Sequence, residues 1–185
     1  MMSYTNSNQD AGGLKQFVNK VGDAVGGMMG TASAATMGAT NAETFVASAG
    51  AGDLYEIAAA RIALQKAQRA DVRTHAEMMI EHHTTSAHQL RSALRSTEVT
   101  SASPGLSVPT TPDTRRQTLL DHLAEAPADA FDDTYLDQQK LAHQETLTLL
   151  DGYGRHGDNP QLASYARGGA PMVQRHLRMI ETMRG

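Results

Sequence analysis

Four ionisable residues, Glu56, His83, His143 and His176, stand where a helical protein ordinarily places apolar side chains. Imidazole and carboxylate are donors of intermediate hardness, so three histidines and one glutamate converging on a point would suit a divalent ion such as Zn, Fe or Mn. A buried carboxylate on its own is costly and must take a proton or find a partner. Each of the four therefore needs the others, or an ion. Asp132 and Gln139 share the stripe of His143 and could add a ligand or hydrogen-bond the ligating groups. The alternative is a hydrogen-bonded polar layer that sets helix register without metal.

The elements that must position these groups follow from the apolar period. On a wheel at about 100° per residue, Phe45, Val46, Ala49, Ile57, Ala59, Ala60, Ala63, Leu64 and Ala67 form one arc, with Glu56 near its middle. This predicts a helix over about 44–69, with its firm start nearer Asp53 because Gly50 and Gly52 weaken the first turns. Beyond Ala70 the apolar phase shifts by half a turn, which calls for a hairpin, with Asp71 able to cap a second helix over about 72–96. Val72, Ala76, Met79, Ile80, Ala87, Leu90 and Leu94 share that helix's inner face with His83, while His75 and His82 lie at its margins.

Residues 96–113, with three Pro and many Ser and Thr, read as a long crossover, followed by a short helix over about 114–125 capped by Asp113. A third long helix over about 129–152 carries Asp132, Leu136, Gln139, His143, Leu147 and Leu150 on one stripe. A fourth over about 160–183 places His176 among Leu162, Tyr165, Met172, Val173, Ile180 and Met183, with a kink expected at Gly168-Gly169-Ala170-Pro171.

Helix, tight hairpin, helix, crossover, helix, tight hairpin, helix is the chain order of ferritin-like four-helix bundles. Glu56 and His83 lie about 14 and 13 residues either side of the first hairpin, roughly 20 Å down each helix, so they are level. His143 and His176 lie about 13 and 17 residues either side of the second, which brings them to the same depth. A two-metal oxidase centre would need Glu-x-x-His pairs, but the residues three before His83, His143 and His176 are Ile80, Lys140 and Val173. A mononuclear site fits better. Met79, Met172, Met179 and Met183 would also permit His/Met haem ligation, although a methionine stripe is ordinarily core filling. The remaining histidines, His75, His82, His88, His122 and His156, are expected to face water.

Composition agrees with an all-α protein. The 185 residues include 10 Met and many Ala but no Trp and only 4% aromatics, which is thin for a β-sandwich. A net charge of −4 and a pI near 6.0, with no basic run, exclude the electrostatic footprint of a nucleic-acid-binding protein. Zero Cys excludes disulfides, thiolate metal sites and iron–sulfur clusters. There is no nucleophile–base arrangement and no phosphate loop, so an enzyme is not the favoured reading; catalysis would need an open position on the metal.

Residues 1–42 read as a flexible N-terminal arm, with 43–185 as the bundle domain. Within the arm, Leu14, Phe17, Val18, Val21 and Val25 fall at helical spacing, so a short amphipathic helix could pack on the domain, lie on a membrane surface or dock a partner. Ala32-Ser33-Ala34 resembles a signal-peptidase site, but the apolar run before it is short and broken by glycines.

The segments FVASAGAGDLYEIAAARIALQKAQ, MIEHHTTSAHQL, FDDTYLDQQKLAHQETLTLL and GDNPQLASYARGGAPMVQRHL, in that order, resemble the bacterial domain of unknown function 4142 family over about residues 43–183. The resemblance implies a ferritin-like fold, a periplasmic or cell-envelope location, with the cytoplasm as the alternative because the sequence shows no clear signal peptide, and a metal-binding role without an established reaction. Its motif positions fall on Glu56, His83, Asp132, Tyr135, His143, Pro171 and His176. Where that family has an Asp-His pair, this chain has His82-His83. The combined expectation is a bundle that holds a divalent metal in its core and serves metal handling or stress protection; the alternative is a non-catalytic envelope or interaction protein whose Glu/His layer is structural.

Overall fold

A computed structural model describes residues 40–185, and the amphipathic stretch Leu14–Val25 lies outside the described residues. Among these there are six helices and no strand: α1 (Ala42–Lys66), α2 (Ala70–Leu94), α3 (Thr97–Ala102), α4 (Thr114–Glu125), α5 (Phe131–His156) and α6 (Pro160–Arg184). The all-α expectation holds. The four long helices pair as α1 with α2 and α5 with α6, each pair joined by three residues, and α1 also packs on α5 and α2 on α6.

Caps explain where these helices begin. Asn41 accepts from the Thr44 amide, so α1 starts at Ala42 and runs through Gly50 and Gly52 instead of beginning near Asp53. Gly50 has a packing reason to be there. A Cβ on it would stand 2.7 Å from Cδ of Pro109, where the crossover presses on α1. The second helix starts at Ala70, earlier than expected, and Asp71 does not cap it from outside; it sits in the first turn and pairs with Arg69. The group at that helix end is Asp132, whose two carboxylate oxygens accept from the amides of Gln68 (3.1 Å) and Arg69 (2.9 Å).

The crossover is more ordered than its composition suggests. Ser96 accepts from the Val99 amide and Val99 is buried, which suffices for the single turn-and-a-half of α3. Asp113 caps α4 as expected. That helix is fastened from both sides: Lys66 donates to the carbonyls of Ala124 and Ala126, Arg115 pairs with the buried Glu145, and Gln138 donates to the Leu119 carbonyl while accepting from the Tyr55 hydroxyl. Past Asn159, which caps it through two amides, α6 continues through the Gly168–Pro171 segment to Arg184.

The apolar interior falls into two clusters. One gathers Tyr55, Ala59, Ala60, Ala63, Val72, Ala76, Met79, Leu123, Phe131, Tyr135, Leu136 and Ile180. The other gathers Phe45, Val46, Leu90, Leu149, Tyr153, Leu162, Ala166 and Val173, with Phe45 stacked on Tyr153 at 4.0 Å. On every long helix a buried polar residue lies between the two sets: Asp53, His83, His143 and His176.

Asp132 thus carries a fold role that can be isolated. Replacing it by Ala leaves the two amides entering α2 without their acceptor, and the expected loss is about 1–2 kcal/mol of unfolding free energy by urea denaturation. An unchanged midpoint would show that solvent satisfies those amides equally well.

Candidate metal centre

The layer between the two apolar clusters is built from Asp53 and Glu56 on α1, His83 on α2, Gln139 and His143 on α5, and His176 on α6, all buried. Asp53 and Glu56 are three residues apart and share one face of α1; Gln139 and His143 are four apart and share one face of α5. His83, His143 and His176 each offer a ring nitrogen such that the three atoms lie within 4.8 Å of one another. Three imidazoles expected to be level are level.

Each ring has one nitrogen already committed. His83 Nδ1 lies 2.9 Å from Asp53 Oδ1, which leaves Nε2 buried without a hydrogen-bond partner. His143 donates from Nδ1 to the Gln139 carbonyl at 2.8 Å, which fixes its tautomer and leaves a lone pair on Nε2. That Nε2 is 3.1 Å from His176 Nδ1, and His176 Nε2 is in turn 2.8 Å from His82 Nδ1. Without an ion the consistent pattern is a one-way relay: His82 donates to His176, His176 to His143, and His143 to the α5 backbone.

Glu56 sits beside this group. Its Oε2 accepts from Gln139 Nε2 at 2.6 Å, and its Oε1 lies 3.5 Å from His143 Nδ1 with no hydrogen bond of its own. Burial raises the carboxyl above its usual range, opposed first by His83 and then by the Gln139 amide. Burial lowers His143 to about 3, helped by His83, and His176 to about 2, helped by His143 and His83. His83 goes the other way: burial pulls it down, but the Asp53 bond and the Glu56 charge outweigh that and leave it raised.

The donor set fits a metal ion. Metal–nitrogen bonds of about 2.0–2.1 Å put neighbouring ligand nitrogens roughly 2.9–3.4 Å apart for angles between right and tetrahedral, and the His143–His176 separation lies in that range. Four unpartnered buried atoms, His83 Nε2, Glu56 Oε1, Gln139 Oε1 and Asp53 Oδ2, lie in and around this one layer; the others among the described residues belong to His75, Tyr135, Glu145 and Asn159. Orphaned polar atoms so concentrated are what a ligand site leaves when described without its ligand. The pairing of Asp53 with His83 is the carboxylate–imidazole arrangement that orients metal-bound histidines.

A model of the family described as "Domain of unknown function (DUF4142)" matches residues 27–183. The chain belongs to that family. No curated protein and no solved structure matches it. Of the DUF4142 motif positions, Glu56, His83, His143 and His176 come together, and Tyr135 stands two turns of α5 before His143 with its hydroxyl buried and unpartnered. Asp132 stands apart at the α2 terminus, so it is not beside the imidazoles. Gln139 is, and it serves both Glu56 and His143.

Three expectations about histidines are overturned, His122 on α4 being half-buried. His75, expected to face water, is 2% exposed, because the second helix meets α6 along a wider arc than the apolar stripe alone marks. His82 is half-buried and bonded to His176. His88 and His156 are exposed as expected. Asp53 was not among the predicted site residues; its three-residue spacing from Glu56 was the available signal. Of the methionines considered as haem ligands, Met79 is buried in an apolar cluster and Met179 is exposed.

The pH response of the metal-free protein follows. His75, held by burial at about 4, with His143 and His176, is neutral in the fold, whereas all three protonate near the ordinary value of 6.5 when unfolded. Above that value the two states bind these protons equally; below it only the unfolded chain gains them, so stability is lost as pH falls. His83 and Glu56, both raised, offset part of the loss, being two groups against three. The melting temperature of metal-free protein should therefore fall between about pH 7 and about pH 5, and a flat profile would mean that the folded layer accepts protons as readily as the unfolded chain.

Proposed function

We propose that this protein is a ferritin-like bundle that holds one divalent metal ion through His83, His143 and His176, with Glu56 as the fourth donor. The observation that carries the reading is the convergence of three buried imidazoles whose other nitrogens are already occupied. His83 Nε2 and His143 Nε2 present lone pairs as they stand. His176 needs only a tautomer change: with its proton on Nε2, it donates to His82 Nδ1 and frees Nδ1 for the ion. His82 thus positions His176 as Asp53 positions His83. The donor chemistry suits Zn, Fe or Mn. Metal handling or stress protection in the cell envelope is the physiological role we propose for such a site.

A second reading has its own observation. The relay from His82 to the Gln139 carbonyl satisfies five ring nitrogens without any ion, as a register-setting polar layer would. Metal analysis separates the two. Full-length protein purified without a polyhistidine tag or chelator should carry close to one equivalent of metal, and its melting temperature should rise on adding the matching ion to stripped protein. His143→Ala should abolish both responses, while His156→Ala, at an exposed site, should change neither. Stripped protein whose melting temperature ignores Zn, Mn and ferrous iron would leave the polar layer as the function of these residues.

A further inference from the structure

A groove of about 520 Å³ runs between α2 and α6, outside the metal centre. His75, Met78, Met179 and Met183 line it, and Arg175 and Arg178 complete the α6 side. Its volume lies within the range of small-molecule sites, roughly 300–1,000 Å³. Three observations bear on its occupant. The methionines give it a pliable apolar wall that adapts to a chain-like ligand, and Met179 is exposed although large and apolar. Arg175 and Arg178 are exposed, and among the described residues neither makes an ion pair. His75 is buried, yet neither of its ring nitrogens has a hydrogen bond of good geometry, although the Gln139 amide lies nearby.

Charge is distributed along the groove. Arg69 bonds to the Met183 carbonyl, so the start of α2 meets the end of α6 and the two helices run antiparallel. Asp71, at the Met183 end, is neutralised by Arg69. Arg175 lies eight residues back along α6, about 12 Å away at 1.5 Å per residue, so among the residues lining the groove the charge at the far end is positive.

We propose that this groove binds an amphipathic organic anion, in its simplest form an alkyl carboxylate, with the headgroup at Arg175 and Arg178, the chain along Met78, Met179 and Met183, and His75 at the floor. Arginine meets a carboxylate with paired N–H donors, and the methionine wall takes the hydrocarbon. His75 lines the groove with both ring nitrogens unpartnered, so it offers hydrogen-bonding capacity to a polar group of the ligand. The inference does not depend on whether the three imidazoles hold an ion.

Titration calorimetry of the full chain with decanoate tests it, with decyltrimethylammonium as a chain of the same length and opposite charge. Decanoate should bind saturably at one site and the cation should not. The double variant Arg175→Gln/Arg178→Gln changes two exposed side chains and should weaken decanoate by at least about tenfold. Arg95→Gln, an exposed arginine away from the groove, should leave the affinity unchanged. Absence of saturable decanoate binding, equal binding of the cation, or an unchanged affinity in the double variant would each overturn the proposal.

Discussion

Burying ionisable groups in an apolar interior is expensive unless each finds a partner, and this protein places four such groups, with Asp53 and Gln139, across the middle of its core. Everything near them is arranged to meet that demand. Gln139 serves twice, holding Glu56 through its side chain and His143 through its carbonyl. Asp53 takes one nitrogen of His83 and His82 takes one of His176. What is left over is a small set of lone pairs and orphaned oxygens close together, which is the property that makes the layer chemically interesting.

Such a layer works only if the four long helices hold their depth relative to one another. A shift of one residue along any helix would turn its donor about 100° away from the centre. Fastenings at the ends and flank resist this: Asp132 ties α5 to the α1–α2 hairpin, Arg69 ties that hairpin to the end of α6, and Lys66 and Gln138 clamp α4 against α1 and α5. The crossover therefore does more than connect. By crowding Gly50 with Pro109, it also presses on the half of the core away from α4.

The four inward donors and their common depth were legible in the sequence because helical period and hairpin distance are both arithmetic on residue number. Roles set by packing were not. His75 lies at the margin of its apolar stripe yet is buried, since a helix with neighbours on two sides hides more than its most apolar face, and Asp53 shares the face of Glu56, where only the three-residue spacing marks it. Asp132 shares a stripe with His143 but stands three turns nearer the helix start, and only the placement of the first hairpin shows what it meets. The short helix α3 depends on one serine cap and one buried valine, a signal too local to stand out among so many Ser, Thr and Pro residues.

The division of donors between the hairpins has a consequence of its own. The α1–α2 hairpin carries Glu56 and His83, and the α5–α6 hairpin carries His143 and His176, so neither half of the chain owns more than two donors. Each alone would be a weak chelator, and only their docking makes a strong one. An ion held by all four would be a non-covalent staple across the long loop between the hairpins, so its affinity would measure how well the two halves are assembled.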